Sequence, residues 1–115
     1  MTRILPTLLK LVGTARDGAL LRFSIGSEYL KTGDPSNAAT HLREAVERDP
    51  DYSAAWKLLG RALGEAGRAE EALEAYERGI VVATSRGDQQ AAKEMTVYAR
   101  RLRRERGDPQ GELTA

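Results

Sequence analysis

Cysteine is absent from the 115 residues of this chain, and histidine occurs once, at His41. Without a thiol there are no disulfides, no thiolate metal sites and no thiol catalysis, and the composition fits a reducing compartment. His41 stands beside the apolar Leu42 with no evident serine partner, and no further ligand cluster has metal-binding spacing. The expectation is a protein without enzymatic activity, metal or cofactor. Charge of one sign is missing too: 18 Lys and Arg against 17 Asp and Glu leave a net charge of +1, so the chain as a whole has no general attraction to nucleic acid or membrane. No stretch approaches the ~20 apolar residues that span a bilayer. The apolar opening, Ile4 to Val12, is broken by Pro6 and Lys10 and followed by no clean cleavage pattern. It reads as a short amphipathic helix docked on the domain, and a cytoplasmic location follows as the default.

What is present is a period. Gly26 and Gly60, Gly33 and Gly67, Ala38 and Ala72, Leu42 and Tyr76, Ala45 and Gly79, and Val46 and Ile80 pair at a separation of 34. A fixed spacing of this size marks stacked helix–turn–helix units, each unable to bury its apolar face alone. With 41% apolar and 30% charged residues, the chain suits one globular unit with a heavily solvated exterior.

The helical pattern is punctuated regularly. A first helix is expected over residues 19–30, with Asp17 as its N-cap. Gly33-Asp34-Pro35 ends it and opens the next, since Asp34 can cap and Pro35 suits a first helical position. Residues 36–48 place Ala38, Leu42, Ala45 and Val46 on one face. Pro50 then disfavours helix at Asp49. Residues 53–66 carry Trp56, Leu59, Ala62 and Leu63, and residues 69–85 carry Ala72, Leu73, Tyr76, Ile80 and Ala83. Asp88 is the expected cap of a last helix over 89–106. A disordered polar tail is expected over 107–115.

Laid out this way, the chain resembles the tetratricopeptide repeat (TPR) family. Ile25, Gly26, Tyr29, Ala38, Leu42, Ala45 and Pro50 match its pattern in a first repeat, residues 19–52. Trp56, Leu59, Gly60, Leu63, Ala72, Tyr76 and Gly79 match it in a second, residues 53–86. Residues 88–106 resemble its capping helix, and residues 1–18 remain as a short helix and linker. The resemblance implies an all-α fold, a solenoid of antiparallel helical hairpins. Glycine inside a helix costs about 1 kcal/mol relative to alanine, so Gly26 and Gly60 imply close helix approach, with Ala38 and Ala72 as the small residues opposite. Two departures stand out. Arg22 replaces a bulky aromatic, so Leu21, Phe23 or its own stem must fill the space, and Thr84 replaces a helix-ending proline, so that helix can run longer.

The resemblance also implies a concave groove lined by the first helix of each pair. Its ligand-facing positions fall on Phe23, Ser27 and Leu30, then on Lys57, Arg61 and Gly64, with Ala91, Met95 and Tyr98 extending the surface from the last helix. Lys57 and Arg61 are one turn apart and can aim at one ligand group, or equally stand as two solvated charges. Such a groove suits a protein or peptide partner with an acidic group and an apolar anchor, and makes the chain a scaffold or adaptor. A second reading rests on Arg100, Arg101, Arg103, Arg104 and Arg106, a basic run able to meet nucleic acid or an anionic surface. Pairing of Arg101 with Glu105, the helix dipole and the lack of interleaved aromatics weigh against it. A third is self-association, because two repeats are fewer than the three that usually stand alone. Monomer and weak homodimer both remain open.

Overall fold

The computed structural model describes residues 4–107. Six helices follow one another: α1 Ile4–Leu9, α2 Ala19–Lys31, α3 Pro35–Arg48, α4 Ser53–Glu65, α5 Ala69–Ser85 and α6 Gln89–Glu105. Helices α2 and α3 form one antiparallel hairpin, α4 and α5 a second, and α6 packs on the second hairpin against α5 and α4. The result is a slab of about 46 × 29 × 18 Å. Expected and observed helix ends agree within a residue at most positions. Of the expected tail, residues 108–115 lie outside the described residues.

The helix ends follow from local chemistry. At the close of α2, α4 and α5 the same six-residue bridge forms: Asp34 N–H donates to Tyr29 O at 2.9 Å, Arg68 N–H to Leu63 O at 2.9 Å, and Asp88 N–H to Ala83 O at 2.8 Å. That closure puts the penultimate residue in the left-handed region, where Gly33, Gly67 and Gly87 have φ of 79°, 79° and 78°. Asp34 Oδ1 accepts from Asn37 N at 3.2 Å with Pro35 at the first helical position, and Asp88 Oδ1 accepts from Ala91 N at 3.2 Å.

Asp17 does not cap α2. Gly18 holds the cap position, with no side-chain bond, while Asp17 Oδ2 accepts from Gly13 N at 2.9 Å and its two oxygens grip Arg22 at 2.8 and 3.0 Å. Arg22 in turn reaches His41 Nδ1 at 3.1 Å, and Tyr29 stacks on the His41 ring at 5.6 Å. Where an aromatic side chain was expected, a polar lattice therefore ties the α1–α2 loop to both helices of the first hairpin. The bidentate guanidinium holds the Asp17 carboxyl far below the usual carboxylate range.

The core is built from small and aliphatic side chains. Ile25, Leu42, Leu59, Leu63 and Met95 are its largest fully enclosed members, interleaved with Ala38, Ala45, Ala55, Ala62, Ala72 and Ala83 at 0% exposure. The mid-helix glycines do bring the helices together, but the residues opposite differ from expectation. A Cβ on Gly26 would stand 2.4 Å from Leu42 Cγ, and one on Gly60 2.4 Å from Tyr76 Cε1. Each glycine thus receives a large side chain one turn beyond Ala38 or Ala72. Gly79 does the same for the next interface, where a Cβ would meet Met95 Sδ at 2.5 Å and Trp56 Cβ at 2.7 Å. Trp56 is anchored further by its Nε1–H, which donates to Pro50 O at 2.7 Å, and by the Arg78 guanidinium 4.9 Å from the ring centre.

Helix α5 runs to Ser85 because no proline stops it. Its 17 residues against 14 in α3 shift the following helix. Ala55, Leu59 and Leu63 of α4 are buried, and so are Ala91, Met95 and Ala99 of α6, at a separation of 36 in each case rather than 34. That two-residue slip decides which face of α6 meets the groove.

Candidate functional site

Among the described residues, the first helices of the hairpins and α6 share one side of the slab, and a cavity of about 590 Å³ opens there between α4 and α6. Leu58, Tyr76, Tyr98 and Leu102 supply its apolar floor, and Lys57, Arg61, Glu65, Arg101 and Glu105 its charged rim. Lys57, Arg61 and Gly64 sit there because i, i+4 and i+7 spacing carries them down one face of α4. Gly64 widens the mouth, since a side chain at that position would meet only Leu102 Cδ2, at 3.9 Å.

The two tyrosines make the floor amphipathic. Their ring centres lie 5.8 Å apart, and neither hydroxyl has a hydrogen-bond partner among the described residues. Burial, with Tyr98 beside it, pushes the Tyr76 phenol up to about 12, so it remains a hydrogen-bond donor at neutral pH. The rim cations are not equivalent. Lys57 Nζ binds Glu94 Oε1 at 2.7 Å, and Arg61 Nε binds Glu65 Oε2 at 2.9 Å. The Lys57 ammonium, helped by Gln90 Nε2–H at 3.1 Å, holds the Glu94 carboxyl below its ordinary value. Arg101 has no acidic partner among the described residues.

Of the residues expected in the groove, the structure brings Lys57, Arg61, Gly64 and Tyr98 together. Phe23 and Ser27 stay on α2, outside this cavity, and Phe23 packs against Tyr52 with ring centres 5.0 Å apart. Leu30, Ala91 and Met95 are corrections. Leu30 is 8% exposed, Ala91 6% and Met95 0%, all within the core. The slip of α6 explains the last two: it turns them inward against α5 and presents Glu94, Tyr98, Arg101 and Glu105 in their place. Sequence reasoning missed Tyr76, read as packing alone, and Arg101 and Leu102. The signal for Arg101 was present, because Glu94, Tyr98, Arg101 and Glu105 share a helical stripe at i, i+4, i+7 and i+11.

The basic run on α6 is partly neutralised from another helix. Arg103 Nη2 binds Glu77 Oε2 at 2.7 Å, and Arg106 pairs with Glu70, so α5 supplies the counter-charges. The expected Arg101–Glu105 pair does not form. Two of the five arginines are thereby engaged, and Arg101 stands beside the Tyr76 and Tyr98 rings of the cavity.

Among the described residues no three His, Asp or Glu side chains gather as a metal site, and no helix is long and apolar enough to cross a membrane. Nested hairpins with small residues at their contacts, and a trailing helix that deepens one side, define a helical-repeat solenoid. The sequence profile of the tetratricopeptide repeat family matches residues 23–92. The TPR repeat-containing protein PA0015 of Pseudomonas aeruginosa is 50% identical over 97 residues, spanning 84% of this chain and 92% of that protein. Among solved structures, protein BPP2914 from Bordetella parapertussis is 43% identical, with 91% of each chain covered and a TM-score of 0.76. A tetratricopeptide repeat domain protein from Salinibacter ruber is 29% identical, covering 75% of this chain and 96% of its own, at a TM-score of 0.68. The chain belongs to the tetratricopeptide repeat family, whose fold supports protein-interaction scaffolds and whose members are generally not enzymes.

Proposed function

We propose that this protein is a non-enzymatic, cytoplasmic adaptor that holds a segment of a partner protein in the cavity between α4 and α6. The observation that carries this reading is the convergence of Lys57, Arg61 and Arg101 around a floor of Leu58, Tyr76, Tyr98 and Leu102. An aliphatic or aromatic anchor on the partner fits the floor, where apolar area is removed from water. An acidic group beside it meets Arg101 first, because Lys57 and Arg61 already bind Glu94 and Glu65. Occupancy then requires little rearrangement of the existing pairs. A cavity of this size on a slab of two hairpins favours a short segment and a modest affinity.

The experiment compares proteins captured by the intact chain with those captured by Arg101→Glu and by the Lys57→Glu/Arg61→Glu double variant. Loss of specific captured species from Arg101→Glu, with helicity unchanged, supports the reading. An identical set of captured proteins from all three forms sinks it.

A further inference from the structure

Among the described residues, no helix packs on the far side of α6. In the register set by burial, Trp56 and Gly60 of α4 correspond to Ala92 and Thr96 of α6, again 36 residues on. In α4 those two positions are covered by the second helix of the hairpin, Tyr76 of α5 seating on Gly60. In α6 they line an open groove of about 490 Å³ together with Ile80, Thr84, Lys93 and Val97. Val97 in its lining is 47% exposed, and Val81, the chain neighbour of Ile80, is 65% exposed. The opposite end of the slab is different, because α1 packs there on α2. One end of the stack is therefore covered and the other open.

The charge along this open face is one-sided. Lys93, Val97, Arg100 and Arg104 follow one another at i, i+4, i+7 and i+11, a single stripe of α6. None of these three cations has an acidic partner within 4.0 Å among the described residues. The bare face thus joins an apolar trough to a row of uncompensated positive charge.

We infer that this groove seats an acidic, amphipathic α-helix of a partner protein, which takes the place of the second helix of a third hairpin. Ile80, Val81 and Val97 receive its apolar stripe, and the small side chains of Ala92 and Thr96 let its backbone approach closely. Lys93, Arg100 and Arg104 meet its carboxylates, which supplies direction and specificity more than strength. A second copy of this chain suits the face less well: a two-fold contact sets the same row of cations against itself. The face is separate from the α4–α6 cavity, so the failure of either reading leaves the other standing.

The probe is a capped peptide with the sequence of residues 68–85. It is a helix that already packs in this fold, and it carries Glu70, Glu71, Glu74 and Glu77 against Arg68 and Arg78. Titrated into the isotope-labelled whole chain, it is expected to shift the backbone amides of Ile80, Val81, Ala92, Thr96 and Val97 saturably. Val97→Glu weakens binding by about tenfold or more, Lys93→Glu weakens it less, and Arg61→Glu in the cavity leaves it unchanged. Circular dichroism of each variant checks that the helices persist. No saturable shift at any soluble peptide concentration, or shifts confined to the α4–α6 cavity, overturns the proposal. So does a concentration-dependent doubling of mass that Val97→Glu abolishes, which assigns the face to a second copy. Binding seen only after removal of residues 108–115 assigns the face to the chain's own tail, and also overturns it.

Discussion

The ring of Tyr76 occupies the space that Gly60 leaves by having no side chain, so closely that a Cβ there would stand 2.4 Å from Cε1 and 2.6 Å from Cδ1. Both atoms belong to a ring wedged between helices, and neither is the free end of a flexible chain. Gly60→Ala is therefore expected to destabilise by about 1–3 kcal/mol despite alanine's better helix propensity. Gly64→Ala, where the nearest foreign atom is 3.9 Å away, is expected to stabilise by about 0.4–1 kcal/mol. Urea denaturation of the two variants gives opposite signs if the close approach is real, and the same sign if it is not.

Trp56 joins three separate interactions: burial in the α4–α5–α6 core, the 2.7 Å bond to Pro50 O, and the Arg78 cation over its ring. Trp56→Ala should cost about 3–5 kcal/mol, enough to unfold a domain of this size near physiological temperature. Trp56→Phe keeps most of the packing and loses the bond to the loop, for a smaller cost of about 1 kcal/mol. Equal melting temperatures for the phenylalanine variant and the parent would show that the loop bond contributes nothing.

Acid should weaken the first hairpin in two stages. Burial first, and the Arg22 charge second, lower the His41 pKa, so the unfolded chain takes up a proton before the folded one. Stability from this source is complete above the ordinary histidine value of about 6.5 and declines as pH falls below it. The Asp17 carboxyl is lowered chiefly by its hydrogen bond to Arg22, so its contribution is complete above about pH 4 and drains away only in stronger acid. Melting temperatures measured from pH 8 to pH 2 should show the early decline removed by His41→Gln and the late one reduced by Asp17→Asn. Parallel profiles for all three proteins would count against the lattice.

The rim pairs of the cavity should matter little for folding. Arg61 and Glu65 are 58% and 46% exposed, Lys57 and Glu94 34% each, and solvent screens both pairs. Lys57→Met and Arg61→Gln are each expected to change stability by less than about 0.5 kcal/mol. Chemical denaturation therefore separates loss of partner capture from loss of fold, and a large destabilisation would reassign these residues to the architecture.

The hairpin architecture was legible because it repeats. Gly26 with Gly60 marks the close contacts twice over in the same register, while Asp34 and Asp88 signal helix starts by local hydrogen bonding and Pro35 by its fixed φ. The candidate cavity was legible in part. Lys57, Arg61 and Tyr98 were found by carrying the repeat forward, whereas the same step placed Ala91 and Met95 in the groove and left Arg101 and Tyr76 out. The cause is the three residues by which α5 exceeds α3, less the one by which the following loop is shorter, which shift α6 by two residues relative to a strict repeat. Asp17 was misplaced for a related reason: a cap is a local choice, but Arg22 offered this carboxylate a stronger, bidentate partner.

Local chemistry written along the chain determined that there are helices, where they stop, and which side chains share a stripe, since each of these depends on neighbours within a few residues. The tertiary structure alone decided which stripe of α6 faces the cavity, which cations are neutralised by Glu94, Glu65, Glu77 and Glu70, and that no helix among the described residues covers one face of α6. Those outcomes depend on how one helix is set against another, and a two-residue shift in register moves the inward-facing stripe of an α-helix by about 200°.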